Sequence, residues 1–80
     1  MLRLINRSTH TLVLPRFKGS HYSLFLAPNS TTVLEQIEVA AARQAAEELI
    51  HQFSGAILNG RISVACQEVG DVVEMTFTHW

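Results

Sequence analysis

Over the first 35 residues, short apolar runs alternate with polar breaks, and within each run the apolar positions recur every second residue. That is the period of a half-buried strand. LRLIN at 2–6 alternates and ends on the polar turn Arg7-Ser8-Thr9. HTLVLP at 10–15 is a second short run. Pro15 closes it, because proline donates no ladder hydrogen bond and sits at strand ends or edges. RFKGS at 16–20 reads as a loop with Gly19 at its tip. HYSLFLA at 21–27 is a third strand, with Tyr22, Leu24 and Leu26 on one side and His21, Ser23, Phe25 and Ala27 on the other. Pro28-Asn29-Ser30 is a turn: proline presets φ and asparagine tolerates the left-handed region. TTVL at 31–34 is rich in β-branched residues and predicts a fourth strand. Four strands in succession read as a β-meander, with each proline marking an edge or a turn.

The period changes at Gln36. QIEVAAARQAAEELIHQF at 36–53 contains neither glycine nor proline and is rich in alanine, glutamate and glutamine, all good helix formers. Val39, Ala42, Ala46, Leu49, Ile50 and Phe53 share one helical face, so a helix is expected over about 36–54. Its N-terminal half presents alanine, which lets the helix lie close to whatever it covers. Thr32-Val-Leu-Glu35 matches a capping box that would start the helix at 33. The β-branched TTV run favours a strand there, and the start is placed near 36. Residues 54–60, SGAILNG, support two readings. Asn59-Gly60 between apolar runs signals a hairpin. Ile57, however, continues the helical face, and Gly60 suits a residue just past a helix end. The preferred reading is a helix to about 54 and then an irregular turn. ISVACQ and VVEMTFT form two more strands about a VGD turn, with Val73, Met75, Phe77 and His79 on one face.

The expected architecture is therefore α+β in a single domain spanning 1–80. It is a small antiparallel sheet or sandwich of about six short strands with one helix, in the order β-β-β-β-α-β-β.

Composition narrows the function classes. Hydrophobic residues make up 48% of the chain and charged residues 16%, against roughly 25% charged in average usage. A small domain has proportionally more surface to cover, so part of this apolar content is expected to face other subunits. Six basic and seven acidic residues give a formal charge of −1. Nucleic-acid modules carry a basic patch and a high pI, so nucleic acid is not the expected main partner. The lone Cys66 lies in the apolar run ISVAC and is expected to be a buried free thiol, in keeping with a reducing compartment. No apolar stretch has the length of a membrane span, and MLRLINRS lacks a signal-peptide core.

Catalytic constellations are sparse. His10, His21, His51 and His79 fall on separate elements without metal-ligand spacing, and Cys66 has no CxxC partner. Glu47 and Glu48 splay apart on a helix, and Glu35 and Glu38 suit a helix N-terminus for dipole reasons alone. The glycines are isolated and form no phosphate-cradling loop. The expectation is a protein that is not an enzyme and has no metal or cofactor. Two stretches are candidate partner contacts. Arg16, Phe17 and Lys18 place an aromatic between two cations at a loop tip, and aromatic and arginine residues are enriched at interfaces. The alternative for Phe17 is a lid folded back on the core. His79 and Trp80 end the chain, and the single tryptophan packs either on a neighbouring subunit or on its own domain's rim.

The order LRLINRS, TLVLP, LFLAPNSTTV, a helix opening IEVAA, then LNGRISV resembles a pattern in small virion proteins of tailed bacteriophages. In that pattern an N-terminal strand ends in Asn-x-Ser, and a strand ending in L-x-P leads to a polar turn and a threonine-valine strand. A helix then runs to a glycine before a strand of the L-x-V type. Here Asn29 stands where the pattern has glycine after the proline, and the C-terminal hairpin has no clear counterpart. The resemblance implies a head-decoration, head-completion or tail-accessory subunit. Such a subunit is made in the host cytoplasm, located in the virion and assembled symmetrically or as a homo-oligomer against capsid or neck and tail proteins. The other reading is a small inhibitor or adaptor, encoded by a mobile element, that binds a host protein complex.

Overall fold

Strand β1, Leu2–Asn6, alternates buried and half-buried positions: Leu2, Leu4 and Asn6 point inward while Arg3 and Ile5 face the other side. Both of its edges are paired, so it is an interior strand. The computed structural model describes residues 1–17 and 23–79, with the side chain of His79 outside that description. After β1 come β2 (Leu12–Leu14), β3 (Leu24–Leu26), β4 (Ser30–Leu34), helix α1 (Val39–Gln52), helix α2 (Ser54–Leu58), β5 (Ile62–Val69) and β6 (Val72–His79). The fold is α+β, with six strands in two sheets and one main helix, and the helix lies between four strands and two.

The main sheet has the order β4-β1-β6-β5, and β2 and β3 form a separate two-stranded sheet. This replaces the expected meander. β1 pairs antiparallel with β4 (Leu4 opposite Thr32) but parallel with β6 (Leu4 opposite Met75), so the sheet is mixed. A parallel pair needs a long crossover, and here the whole intervening chain provides it. Strand order is a long-range choice, and alternation of side chains along single strands does not encode it.

Two tight turns carry a positive φ. Gly70 (φ +59) is the first of two residues joining β5 to β6, and Val69 and Val72 close the hairpin. A left-handed residue at that first position alone is the type II′ arrangement, whose twist matches the flanking strands. Asn29 (φ 50) follows Pro28 between β3 and β4, and Ser30 Oγ donates to the Ala27 carbonyl at 2.6 Å.

The helices cover one face of the main sheet. Ala42, Ala45, Ala46 and Leu49 of α1 are buried against Leu2, Leu4, Val73, Met75 and Phe77. The Phe53 ring meets Phe77 edge-on, with centroids 5.8 Å apart and planes at 61°. From the second sheet, Leu14 and Leu26 enter the same core. The helix begins three residues later than expected: Glu38 is the N-cap, without a side-chain cap, and the Thr32–Glu35 box lies in β4 and the turn after it.

The irregular turn expected after residue 54 is instead the short helix α2. Arg61 N–H donates to the Ala56 carbonyl (2.9 Å) and Gly60 N–H to the Ile57 carbonyl (3.1 Å), with Gly60 at φ +71. These two bonds form a Schellman motif. Asn59-Gly60 therefore ends a helix and does not turn a hairpin. Ile57 is half-buried against the core, so the helical face noted in the sequence does extend past Phe53.

Candidate interaction surfaces

The expected contact residues fall in different environments. Phe17 is 5% exposed and belongs to the core, so its ring serves as a lid and is not free to anchor a partner. Arg16 beside it is exposed. Lys18 and Trp80 lie outside the described residues, as do Gly19, Ser20, His21 and Tyr22. His79 is the last residue of β6. Phe17 and, from β6, Phe77 belong to the same core.

The Asn-x-Ser motif is built inward. Asn6 and Ser8 are buried polar residues. The Asn6 amide nitrogen donates to the carbonyls of His10 (2.9 Å), Leu26 (3.0 Å) and Ala27 (3.1 Å). Its oxygen accepts from the Ser8 N–H at 3.0 Å and from Ser8 Oγ at 2.6 Å. Asn29 N–H in turn donates to the Ser8 carbonyl at 3.1 Å. One side chain thus ties the end of β1 to the start of β2 and to the β3–β4 turn. Among the described residues no buried side-chain nitrogen or oxygen lacks a partner. The motif is structural, because every group that would recognise a ligand is already used.

Outward-facing apolar positions lie elsewhere. In the two-stranded sheet Val13 stands directly opposite Phe25, on the side away from the core residues Leu14 and Leu26. Phe25 is 72% exposed and Val13 50%. Sequence alternation had placed Phe25 opposite Leu24 and Leu26, which was the signal for this site, but exposure depended on what covered each side. Leu58 of α2 is 87% exposed and Val69, at the β5–β6 turn, 68%.

The uncovered face of the main sheet is mostly polar. Arg3 Nη1 donates to Glu74 Oε2 at 2.9 Å and Gln67 Nε2 to Glu74 Oε1 at 3.0 Å, linking β1, β6 and β5. At one end of this face Ile5, Arg7, Asn29, Thr31 and Thr78 border an open groove of 640 Å³.

Cys66 is exposed, contrary to expectation. It sits on the helix-side face of β5 opposite Met75, which is fully buried. α1 covers β6 but leaves this half of the outer strand bare, so apolar neighbours in sequence did not mean burial. Cys66 lines a cleft of 280 Å³ with Arg43, Ala46, Ile50, Glu68 and Val73. Across the cleft Arg43 Nε donates to Glu68 Oε2 at 2.8 Å, and a second bond joins Nη2 to Oε1. The hydrogen bond from Arg43, aided by its charge, holds the Glu68 carboxyl below the usual carboxylate range against partial desolvation. Desolvation, with the Glu68 charge adding to it, pushes the Cys66 thiol up. A raised thiol pKa means less thiolate, the opposite of an activated nucleophile. Among the described residues no group of three or more His, Cys, Asp or Glu is placed to hold a metal ion. No helix among them is long and apolar enough to cross a membrane.

The chain matches no protein-family model, no curated protein and no solved structure.

Proposed function

We propose that this chain is a non-enzymatic structural subunit of a bacteriophage particle, held to neighbouring capsid or neck and tail subunits through strand edges and apolar surface. The observation that carries the reading is the outward face of the two-stranded sheet, where Phe25 and Val13 stand opposite each other in solvent. Scattered apolar side chains on a surface are ordinary. A cross-strand pair of them on two three-residue strands is a compact contact point, and interface cores are enriched in aromatic residues. The motif order described above supplies the particle as the setting.

Mass spectrometry of purified particles tests the role. Many copies per particle are expected. Absence from purified particles, with recovery of the chain on a host protein complex, overturns it in favour of an inhibitor or adaptor. Phe25→Ser is expected to lower incorporation at least ten-fold while leaving the fold within about 0.5 kcal/mol, as surface substitutions usually do.

A further inference from the structure

β5 ends the main sheet and is bonded to β6 on one side only. Its backbone groups can be assigned from its neighbours. Val73 N–H donates to the Met1 carbonyl and the Phe77 carbonyl accepts from Arg7 N–H, so odd-numbered residues of β6 turn toward β1. The even-numbered residues Val72, Glu74, Thr76 and Thr78 then face β5, where they meet Val69, Gln67, Ala65 and Ser63. In an antiparallel ladder the alternate residues point the other way. The N–H and C=O groups of Ile62, Val64, Cys66 and Glu68 are therefore directed outward.

This edge carries few of the devices that discourage pairing. Protected edges use lysine, proline, bulges or shortness. β5 is eight residues long, its register with β6 is continuous from 62 to 69, and ISVACQ at 62–67 has no charge and no proline.

Two features make the edge complementary to itself. First, cover on its helix side falls along the strand: Ile62 is buried, Val64 half-buried, and Cys66 and Glu68 exposed. α2 lies by the first half, and the 280 Å³ cleft opens at the second. An antiparallel copy sets the covered half beside the less covered half. Second, the outward backbone groups all belong to even-numbered residues, so a two-fold axis that pairs them must place one residue opposite itself. With Ala65 at the axis, Val64 pairs with Cys66 of the second copy and Ile62 with its Glu68. Every outward backbone group from 62 to 68 then finds a partner.

We infer that β5 is a self-pairing edge, and that two copies of this chain join antiparallel about Ala65 into one continuous eight-stranded sheet. The inference deepens the reading of the chain as an assembly subunit by naming the surface and its occupant.

Ala65 is exposed and lies on the face away from the helices, so its side chain can be changed without touching the core. Light scattering of the purified chain is expected to give about twice 8.9 kDa. Ala65→Lys and Ala65→Glu each place like charges opposite one another and are expected to halve that mass. An equimolar mixture of the two is expected to restore it. In a Cys66→Ser background, Ala65→Cys is expected to form an intermolecular disulfide, because directly opposed Cα atoms of a non-hydrogen-bonded pair lie about 4.5 Å apart, within disulfide range. Circular dichroism checks that each variant keeps the wild-type fold. A wild-type chain that stays monomeric at high concentration overturns the inference. A dimer insensitive to both charges also overturns it, but leaves the assembly role standing, because association then runs through another surface. Incorporation into particles, measured separately, decides that role.

Discussion

Met75 and Cys66 face each other across adjacent strands on the same side of one sheet, yet Met75 is wholly buried and Cys66 is exposed. Both lie in apolar, strand-forming sequence, and both alternate correctly. The difference is one strand position. β6 lies under α1 with β1 on its other side, whereas β5 has no strand beyond it, and its second half extends past the helical cover. At this pair, burial is therefore decided by how far the 14-residue helix α1 reaches across the sheet.

Substitution at each member of the pair breaks or sharpens that contrast most strongly. Met75→Ala is expected to cost about 2–5 kcal/mol, the range for emptying a fully buried site. Cys66→Ala is expected to stay within about 0.5 kcal/mol. Denaturant titration of both variants measures the difference, and similar losses would remove the contrast. Next comes the polar pin at the opposite end of β1. Asn6→Ala strands buried carbonyls and the Ser8 donors, at an expected cost of about 1–3 kcal/mol. The same titration checks it, with Ser8→Ala expected to cost less because fewer bonds are lost.

A third expectation is chemical. A small thiol reagent should modify Cys66 in the folded protein, more slowly at neutral pH than a free cysteine, because its thiol is pushed up. Glu68→Gln should speed that reaction by removing the nearby charge. Labelling kinetics against pH read both, and complete protection of the folded monomer would return Cys66 to the core. The smallest effect concerns Glu68 itself. Its folded-state pKa is lowered by Arg43, so the pair's contribution is present above the ordinary carboxyl pKa and fades as pH falls through the lowered folded value. The carboxylate is surface-exposed, so salt should screen the effect. Comparing Glu68→Gln with wild type between pH 7 and pH 2 should show a small gap that closes on acidification.

Much of the local structure was legible in the chain. LRLIN, TTVL and VVEMTFT announced strands by alternation and β-branching, and the alanine-rich stretch announced its helix and most of its inward face, although Ile50 is exposed and Ala45, outside the expected face, is buried. Asn29 and Gly70 announced their turns by the backbone conformations they tolerate. The helix starts at Val39, later than its composition suggests, because β-branching and the Gln36-Ile37-Glu38 composition compete over those residues, and pairing with β1 carries the strand to Leu34. The end at Asn59-Gly60 was ambiguous because the same dipeptide serves a hairpin turn and a Schellman cap. Only Ile57, by packing on the core, favours the helix. The burial of Phe17 and the exposure of Cys66 lie beyond the sequence for one reason: side-chain type indicates a preference for burial, while the availability of cover depends on distant elements.

Sequence alone determined the strands, the main helix and the turns at Asn29 and Gly70, because these depend on periods of 2 and 3.6 residues and on the φ preferences of single residues. Tertiary structure alone decided that β1 runs parallel to β6, that Asn6 pins three segments, and that β5 is left at an edge. Each of those features joins groups far apart in the chain, and neighbouring side chains carry no record of which distant strand will arrive beside them.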